Sequence, residues 1–198
     1  IHAYDGINEI TGGDGNDTIV SGNGPDTIES GGGDDHITSG DNIDLIYAGE
    51  GDDVIYSQSG DDEIYAEAGD DVINSGSGHD LVYAATGNDS VNAGSGNDLV
   101  VGADGDDTID GGAGNDVIWG GNQTYGLSHF DLNTPSLFEL PPQYLEAEIL
   151  NPTGYTPPLI MPTVVGGRSV DGAFNDGIDI IDGGSGSDHI FGGGEDDD

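Results

Sequence analysis

The sequence predicts an all-β solenoid of nine-residue repeats, in which two short-stranded parallel sheets enclose a thin aliphatic core and one long, mostly irregular insert breaks the array. Three observations predict it. The unit glycine-glycine-x-glycine-x-aspartate-x-aliphatic-x recurs every nine residues from Ala3 to Trp119 without losing phase. Its eighth slot is always β-branched: Ile10, Ile19, Ile28, Ile37, Ile46, Ile55, Ile64, Ile73, Val82, Val91, Val100, Ile109 and Ile118, then Ile181 and Ile190. Its second and fourth slots are mostly glycine, which permits the positive φ that a tight turn needs.

Each block divides into a turn of six residues and a strand of three, because valine and isoleucine favour extended backbone where glycine does not. Side chains alternate along a strand, so the middle aliphatic points into the core and its two neighbours point out. One residue per strand is therefore expected to build the core. Two blocks close one coil, which sets strands eighteen residues apart side by side as a parallel sheet. The blocks begin at residues 3, 12, 21, 30, 39, 48, 57, 66, 75, 84, 93, 102 and 111, resume at 174 and 183, and end in a partial block at Gly192. This divides the chain into a repeat region 1–122, an insert 123–173 and resumed repeats 174–198. The insert carries Pro135, Pro141, Pro142, Pro152, Pro157, Pro158 and Pro162 among several aromatics. Those prolines forbid long helices, leaving at most a short helical turn over Tyr144 to Leu150.

The run Gly12-Gly13-Asp14-Gly15-Asn16-Asp17-Thr18-Ile19-Val20 matches throughout, and the chain resembles, on that unit and its many repeats, the RTX (repeats-in-toxin) family of calcium-binding nonapeptide proteins. The resemblance implies a right-handed parallel β-roll, or β-helix, with calcium bound in the turns.

The composition agrees with a cation-dependent chain. One basic residue, Arg168, stands against forty acidic ones, for a net charge of −39, and self-repulsion of that size opposes compaction until something cationic binds. Low aliphatic content with high acidity describes a chain that is disordered without its ion. Nucleic acid and anionic membranes need a basic surface this chain does not have. No run of eighteen apolar residues is present to span a bilayer, and the N-terminus has no charged and apolar signal-peptide regions. Starting without Met and stopping inside a repeat, the chain is expected to be a segment of a longer protein. Cysteine is absent, so calcium rather than disulfides is expected to stabilise the fold.

Calcium takes six to eight oxygen ligands from carboxylates and carbonyls. The sixth slot supplies an aspartate every nine residues, alternating between the two sides of the roll. Asp17, Asp35, Asp53, Asp71, Asp89 and Asp107 form one column and Asp26, Asp44, Asp62, Asp80, Asp98 and Asp116 the other, with Asp179, Asp188 and Asp197 after the insert. Only Asn8 departs from aspartate, which marks the first turn as a cap or a weak site. Unpaired columns of carboxylates would repel one another, so turn formation alone does not account for them.

The resemblance implies that each ion bridges two successive turns on one side, held by their sixth-slot carboxylates and by carbonyls of their glycines. Those glycines are Gly13, Gly15, Gly22, Gly24, Gly31, Gly33, Gly49, Gly51, Gly60, Gly69, Gly76, Gly78, Gly87, Gly94, Gly96, Gly105, Gly112, Gly114, Gly184 and Gly186. About eleven ions or more would bind, neutralising roughly half of the charge. Where Asn42, Gln58, Glu67, Ala85 and Ala103 replace glycine, strain or weaker sites are expected, although asparagine can still reach the left-handed region. An EF-hand loop and a zinc site are both excluded, the first for want of its twelve-residue pattern and the second because cysteine is absent and His2, His36, His79, His129 and His189 share no ligand spacing.

The outward slots differ between the two faces. One carries Leu45 and Tyr47, Glu63 and Tyr65, Leu81 and Tyr83, Leu99 and Val101, Val117 and Trp119; the other carries Thr18 and Val20, His36 and Thr38, Val54 and Tyr56, Val72 and Asn74, Ser90 and Asn92, Thr108 and Asp110. An apolar ladder through Tyr47, Tyr65, Tyr83 and Trp119 either stabilises its own sheet by cross-strand stacking or marks a contact, with the 123–173 insert or with a neighbouring domain or copy.

No catalytic constellation is present: there is no Gly-x-Ser-x-Gly elbow, no His-Glu-x-x-His motif and no cysteine, so the segment is expected to be non-enzymatic. The resemblance implies a secreted or bacterial cell-surface protein, exported by type I secretion as an unfolded chain that folds on meeting extracellular calcium. A structural module of a surface-layer protein or adhesin is favoured. The alternative is the C-terminal secretion and folding domain of an exported toxin, protease, lipase or epimerase.

Overall fold

A computed structural model describes residues 1–121, 168–173 and 177–191. Among them every regular element is a strand, arranged in two sheets of eight. The first sheet runs β1 (Glu9–Asp14), β3 (Thr27–Gly32), β5 (Leu45–Glu50), β7 (Glu63–Ala68), β9 (Leu81–Thr86), β11 (Leu99–Asp104), β13 (Val117–Gly121) and β16 (His189–Phe191). The second runs β2 (Thr18–Val20), β4 (His36–Asp41), β6 (Val54–Ser59), β8 (Val72–Asn74), β10 (Ser90–Asn92), β12 (Thr108–Asp110), β15 (Gly177–Asp182) and β14 (Arg168–Ala173). The chain alternates between sheets at every turn up to β13. Partners in one sheet lie eighteen residues apart and parallel, as in Ile46↔Ile64 and Ile64↔Val82. This is the parallel β-roll that the period predicts.

The roll departs from the expected pattern in two places. Many strands are six residues long rather than three, because the parallel pairing continues past the ninth slot, with the backbone extended through the first slot of the next block before its left-handed second slot. The alternation of side chains continues with it, so the first slot of each block also points inward. Ser21, Ser30, Ser39, Ala48, Ser57, Ala66, Ser75, Ala84 and Ala93 are all fully enclosed. The core therefore takes two residues per block, one large aliphatic and one small, and the small one lets the sheets approach. The buried serines do not waste their hydroxyls: Ser30 Oγ donates to the Ala48 carbonyl at 2.7 Å and Ser57 Oγ to that of Ser75 at 2.8 Å. Each enclosed isoleucine contributes roughly 1.5–3 kcal/mol of transfer free energy.

The second departure concerns β14, which pairs antiparallel with β15, Arg168 opposite Asp182 and Ala173 opposite Gly177. Only residues 174–176 separate the two strands, and a parallel pair would need a crossover of about a dozen residues. Past the interruption the roll resumes in register, with Ile109 beside Ile181 and Ile118 beside Ile190. Apart from residues 168–173 the insert, including the short helical turn expected over 144–150, lies outside the described residues.

On the outer surface of the first sheet Tyr47 and Tyr65 stack, with ring centroids 5.0 Å apart and planes inclined by 8°. The Tyr65 hydroxyl donates to Glu63. Tyr83, Val101 and Trp119 continue the ladder in register. Tyr65, Leu81, Val101 and Trp119 are buried although they point away from the core.

Candidate metal centre

The turns on both sides are built from backbone stacked against backbone. Every glycine named above as a site residue takes positive φ, as do Gly6 and Gly40, which the sequence reading left out. Most of these glycines lie close against the preceding coil: a Cβ at Gly78 would lie 1.6 Å from the Gly60 carbonyl oxygen, whereas one at Gly13 or Gly15, in the first coils, would meet nothing within 4 Å. Asn42, Gln58, Glu67, Ala85 and Ala103 adopt the same left-handed conformation at φ of 78–88°, so the turn geometry is kept at those places against the preference of the residue.

The sixth-slot aspartates form the two expected columns. Asp26, Asp35, Asp44, Asp53, Asp62, Asp71, Asp80, Asp89, Asp98, Asp107, Asp116 and Asp188 are all buried, whereas Asp17 is partly exposed. The Asp179 side chain and the whole of Asp197 lie outside the described residues. Within a column each carboxylate turns back to the preceding coil: Asp71 Oδ1 accepts the Asp53 N–H at 2.8 Å, and Asp89 Oδ1 accepts that of Asp71 at 2.9 Å. The opposite column does the same, and it continues across the insert, where Asp188 Oδ1 accepts the Asp116 N–H at 3.1 Å.

The other carboxylate oxygen is left over. Oδ2 of Asp26, Asp35, Asp53, Asp71, Asp89, Asp98, Asp116 and Asp188 is buried without a hydrogen-bond partner, and Oδ2 of Asp44, Asp62 and Asp80 is equally buried, with only the hydroxyls of Ser39, Ser57 and Ser75 near their carboxylates. Burial pushes the carboxyls of Asp44, Asp53, Asp89 and Asp116 up to about 6, and those of Asp62, Asp71 and Asp98 up to about 7. Asp80 is raised for the same reason. A row of enclosed, partly neutralised carboxylates is an unfavourable arrangement for the protein alone, and a cation beside Oδ2 would reverse it.

The donor set fits a hard cation. Among the described residues no group of three or more histidine, cysteine, aspartate or glutamate side chains converges on a point, so carboxylates alone do not complete a coordination shell. Backbone carbonyls would have to supply the rest, which suits calcium and does not suit a metal that needs nitrogen or sulfur. The histidines stand apart from one another: His36 packs edge-on against Tyr56, with 5.6 Å between ring centroids, and His79 belongs to a surface ladder. His129 lies outside the described residues.

That surface ladder escaped the sequence reading. Fifth-slot side chains accept N–H groups from the coil that follows, opposite in sense to the buried aspartates. Asp34 Oδ1 accepts from Asp52 N–H at 3.2 Å, Asp52 Oδ1 from Asp70 at 2.9 Å and Asp70 Oδ1 from Asn88 at 2.8 Å. On the other edge Asp61, His79, Asn97 and Asn115 do the same. The available signal was the run of Asp, Asn and His in that slot, residue types with an acceptor atom one or two bonds beyond Cβ.

A family model described as the RTX calcium-binding nonapeptide repeat (4 copies) matches residues 1–28, 11–46, 29–64, 38–73, 57–91, 92–124 and 175–198. No curated protein and no solved structure matches the chain. The matched segments take in all of the repeats and leave out most of the insert. With its parallel two-sheet roll and its paired columns of buried aspartates, the chain belongs to the RTX family of calcium-binding nonapeptide-repeat proteins.

Proposed function

We propose that this chain is a calcium-folded structural module of a secreted or cell-surface protein, without enzymatic activity of its own. The observation that carries the reading is the partnerless, buried Oδ2 repeated along both columns. In each turn the sixth-slot carboxylates of two successive same-side coils, with carbonyls of the second- and fourth-slot glycines, would hold the ion. Bound calcium supplies positive charge where the fold buries negative charge, and thereby stabilises only the folded chain. Because every coil rests on its neighbours, occupancy of one turn supports the next and the transition is steep in calcium. Extracellular modules of this kind fill at about 10⁻⁴–10⁻³ M, well above cytosolic levels, so the chain stays unfolded inside the cell and becomes rigid outside it.

The apolar ladder supports an assembly role of the surface-layer or adhesin type through its partly exposed members Tyr47 and Tyr83, since Tyr65, Val101 and Trp119 are already buried within the single chain. Far-UV circular dichroism with sedimentation velocity across a calcium titration tests both parts. A cooperative coil-to-β transition at submillimolar to millimolar calcium, followed by association, is expected. A strictly monomeric product transfers the reading to a secretion and folding domain, and β structure unchanged in chelator refutes calcium-dependent folding.

A further inference from the structure

The first turn breaks the aspartate rule, and its geometry says what replaces the ion. Asn8 holds the position that Asp26 holds in the next coil on the same side, as their backbones show: Asn8 N–H donates to Asp26 Oδ1 at 2.8 Å and Asp26 N–H donates to Asp44 Oδ1 at 2.8 Å. The side chains then differ. Asp26 presents a buried oxygen with no partner. Asn8 presents Nδ2, which lies 2.9 Å from the Tyr4 carbonyl oxygen, 3.1 Å from that of Gly6, 3.2 Å from that of Ser21 and 2.8 Å from Asp26 Oδ1. Tyr4 and Gly6 are the second and fourth slots of this turn, and Ser21 opens the next block but one. The amide nitrogen thus gathers two turn carbonyls, a carbonyl of the following coil and that coil's carboxylate.

We infer that the Asn8 carboxamide occupies the cation position of the first turn, so that this turn is closed by the chain's own nitrogen and takes up no calcium. The inference rests on the calcium reading of the other turns and deepens it. A carboxamide offers two N–H donors and partial positive charge, enough to satisfy oxygens that elsewhere would face the ion, and it brings no charge of its own. An aspartate there would turn an acceptor toward those same oxygens and restore the need for a cation. The first coil is then closed at any calcium concentration at which its neighbour is folded.

Native mass spectrometry of the full chain at saturating calcium, wild type against Asn8→Asp, tests the inference. The variant is expected to carry one more calcium ion per chain, and equal non-zero numbers would overturn the inference while leaving calcium binding intact. Hydrogen exchange of the Asn8 side-chain amide in the wild-type protein, read by NMR, decides the matter even if the variant does not fold. Exchange at least about tenfold slower than at the exposed Asn16 side chain is expected; exchange as fast as Asn16 would sink the idea. A wild-type chain that takes up no calcium refutes the proposed function instead, and the exchange measurement, which does not depend on the ion count, still decides the role of Asn8.

Discussion

Replacing Asp71 by asparagine separates the structural role of a sixth-slot carboxylate from its metal-binding role, because the two predict opposite signs. Asp71 is 1 % exposed, its Oδ1 accepts the Asp53 N–H at 2.8 Å, and its Oδ2 has no partner. Burial raises its carboxyl from the ordinary 3.8 to about 7, with the nearby Asp89 and Asp53 charges adding to the shift. At pH 8 that displacement makes the ionised form about 4 kcal/mol costlier in the folded roll than in the unfolded chain, as an upper bound. Water entry and local relaxation reduce it, and the new Nδ2 brings a donor that itself needs a partner, leaving a net gain of roughly 1–2 kcal/mol for Asp71→Asn without calcium. With calcium the sign reverses. The amide keeps the Oδ1 contact but removes one negative charge from the ions beside it, a loss of roughly 1–3 kcal/mol of calcium-bound stability. The assay is circular dichroism in two titrations at pH 8: trimethylamine oxide in chelator, where the variant should fold at lower osmolyte, and calcium, where it should fold at higher calcium. A variant that is harder to fold in chelator and has an unchanged calcium midpoint would show that Asp71 serves the turn rather than the ion, and the reasoning would be refuted.

Other outcomes follow from the same geometry. In chelator the roll should gain stability as pH falls from about 8 to 5. A raised carboxyl contributes stability that is fully present below its unfolded value near 3.8 and is lost as pH rises through about 6–7, and dichroism against pH reads this directly. Gly78→Ala places Cβ 1.6 Å from the Gly60 carbonyl oxygen at a φ of 141°, so it should cost at least about 1–3 kcal/mol in calcium, measured as a fall in Tm. The control is Gly32→Ala, whose Cβ meets nothing nearer than 3.9 Å and which should be close to neutral. Ile64→Ala empties a fully enclosed core position and should cost about 2–5 kcal/mol in the calcium-bound state by chemical denaturation.

Much of the site was legible before any coordinates. A period that never slips over 3–119 dictates which residues stack, so both aspartate columns follow from counting by eighteen, and they stand as counted, with Asp53, Asp71 and Asp89 joined link by link. The positive φ at Gln58, Glu67, Ala85 and Ala103 was legible in the same way, because a repeat imposes its backbone on substituted positions. Less legible were features that depend on how far a strand runs. The first-slot serines and alanines read as turn residues by composition, yet Ala48 and Ser57 are core, since alternation continues wherever the backbone stays extended. The fifth-slot ladder was invisible because its residues also suit solvent-exposed turns, and only the stacking of coils brings Asp52 Oδ1 to the Asp70 amide.

The sequence by itself determined the solenoid, its parallel pairing, its aliphatic core line and its excess of negative charge, because each is a property of a short repeated unit. The tertiary structure alone decided what each polar atom faces. One carboxylate oxygen of Asp71 is tied to Asp53 and the other is enclosed without a partner, the Asn8 amide collects four oxygens, and β14 runs against its neighbour. The physical reason is range: periodicity and propensity act within a block or between adjacent strands, whereas burial, hydrogen-bond satisfaction and the need for a counter-charge are settled only when coils close upon one another.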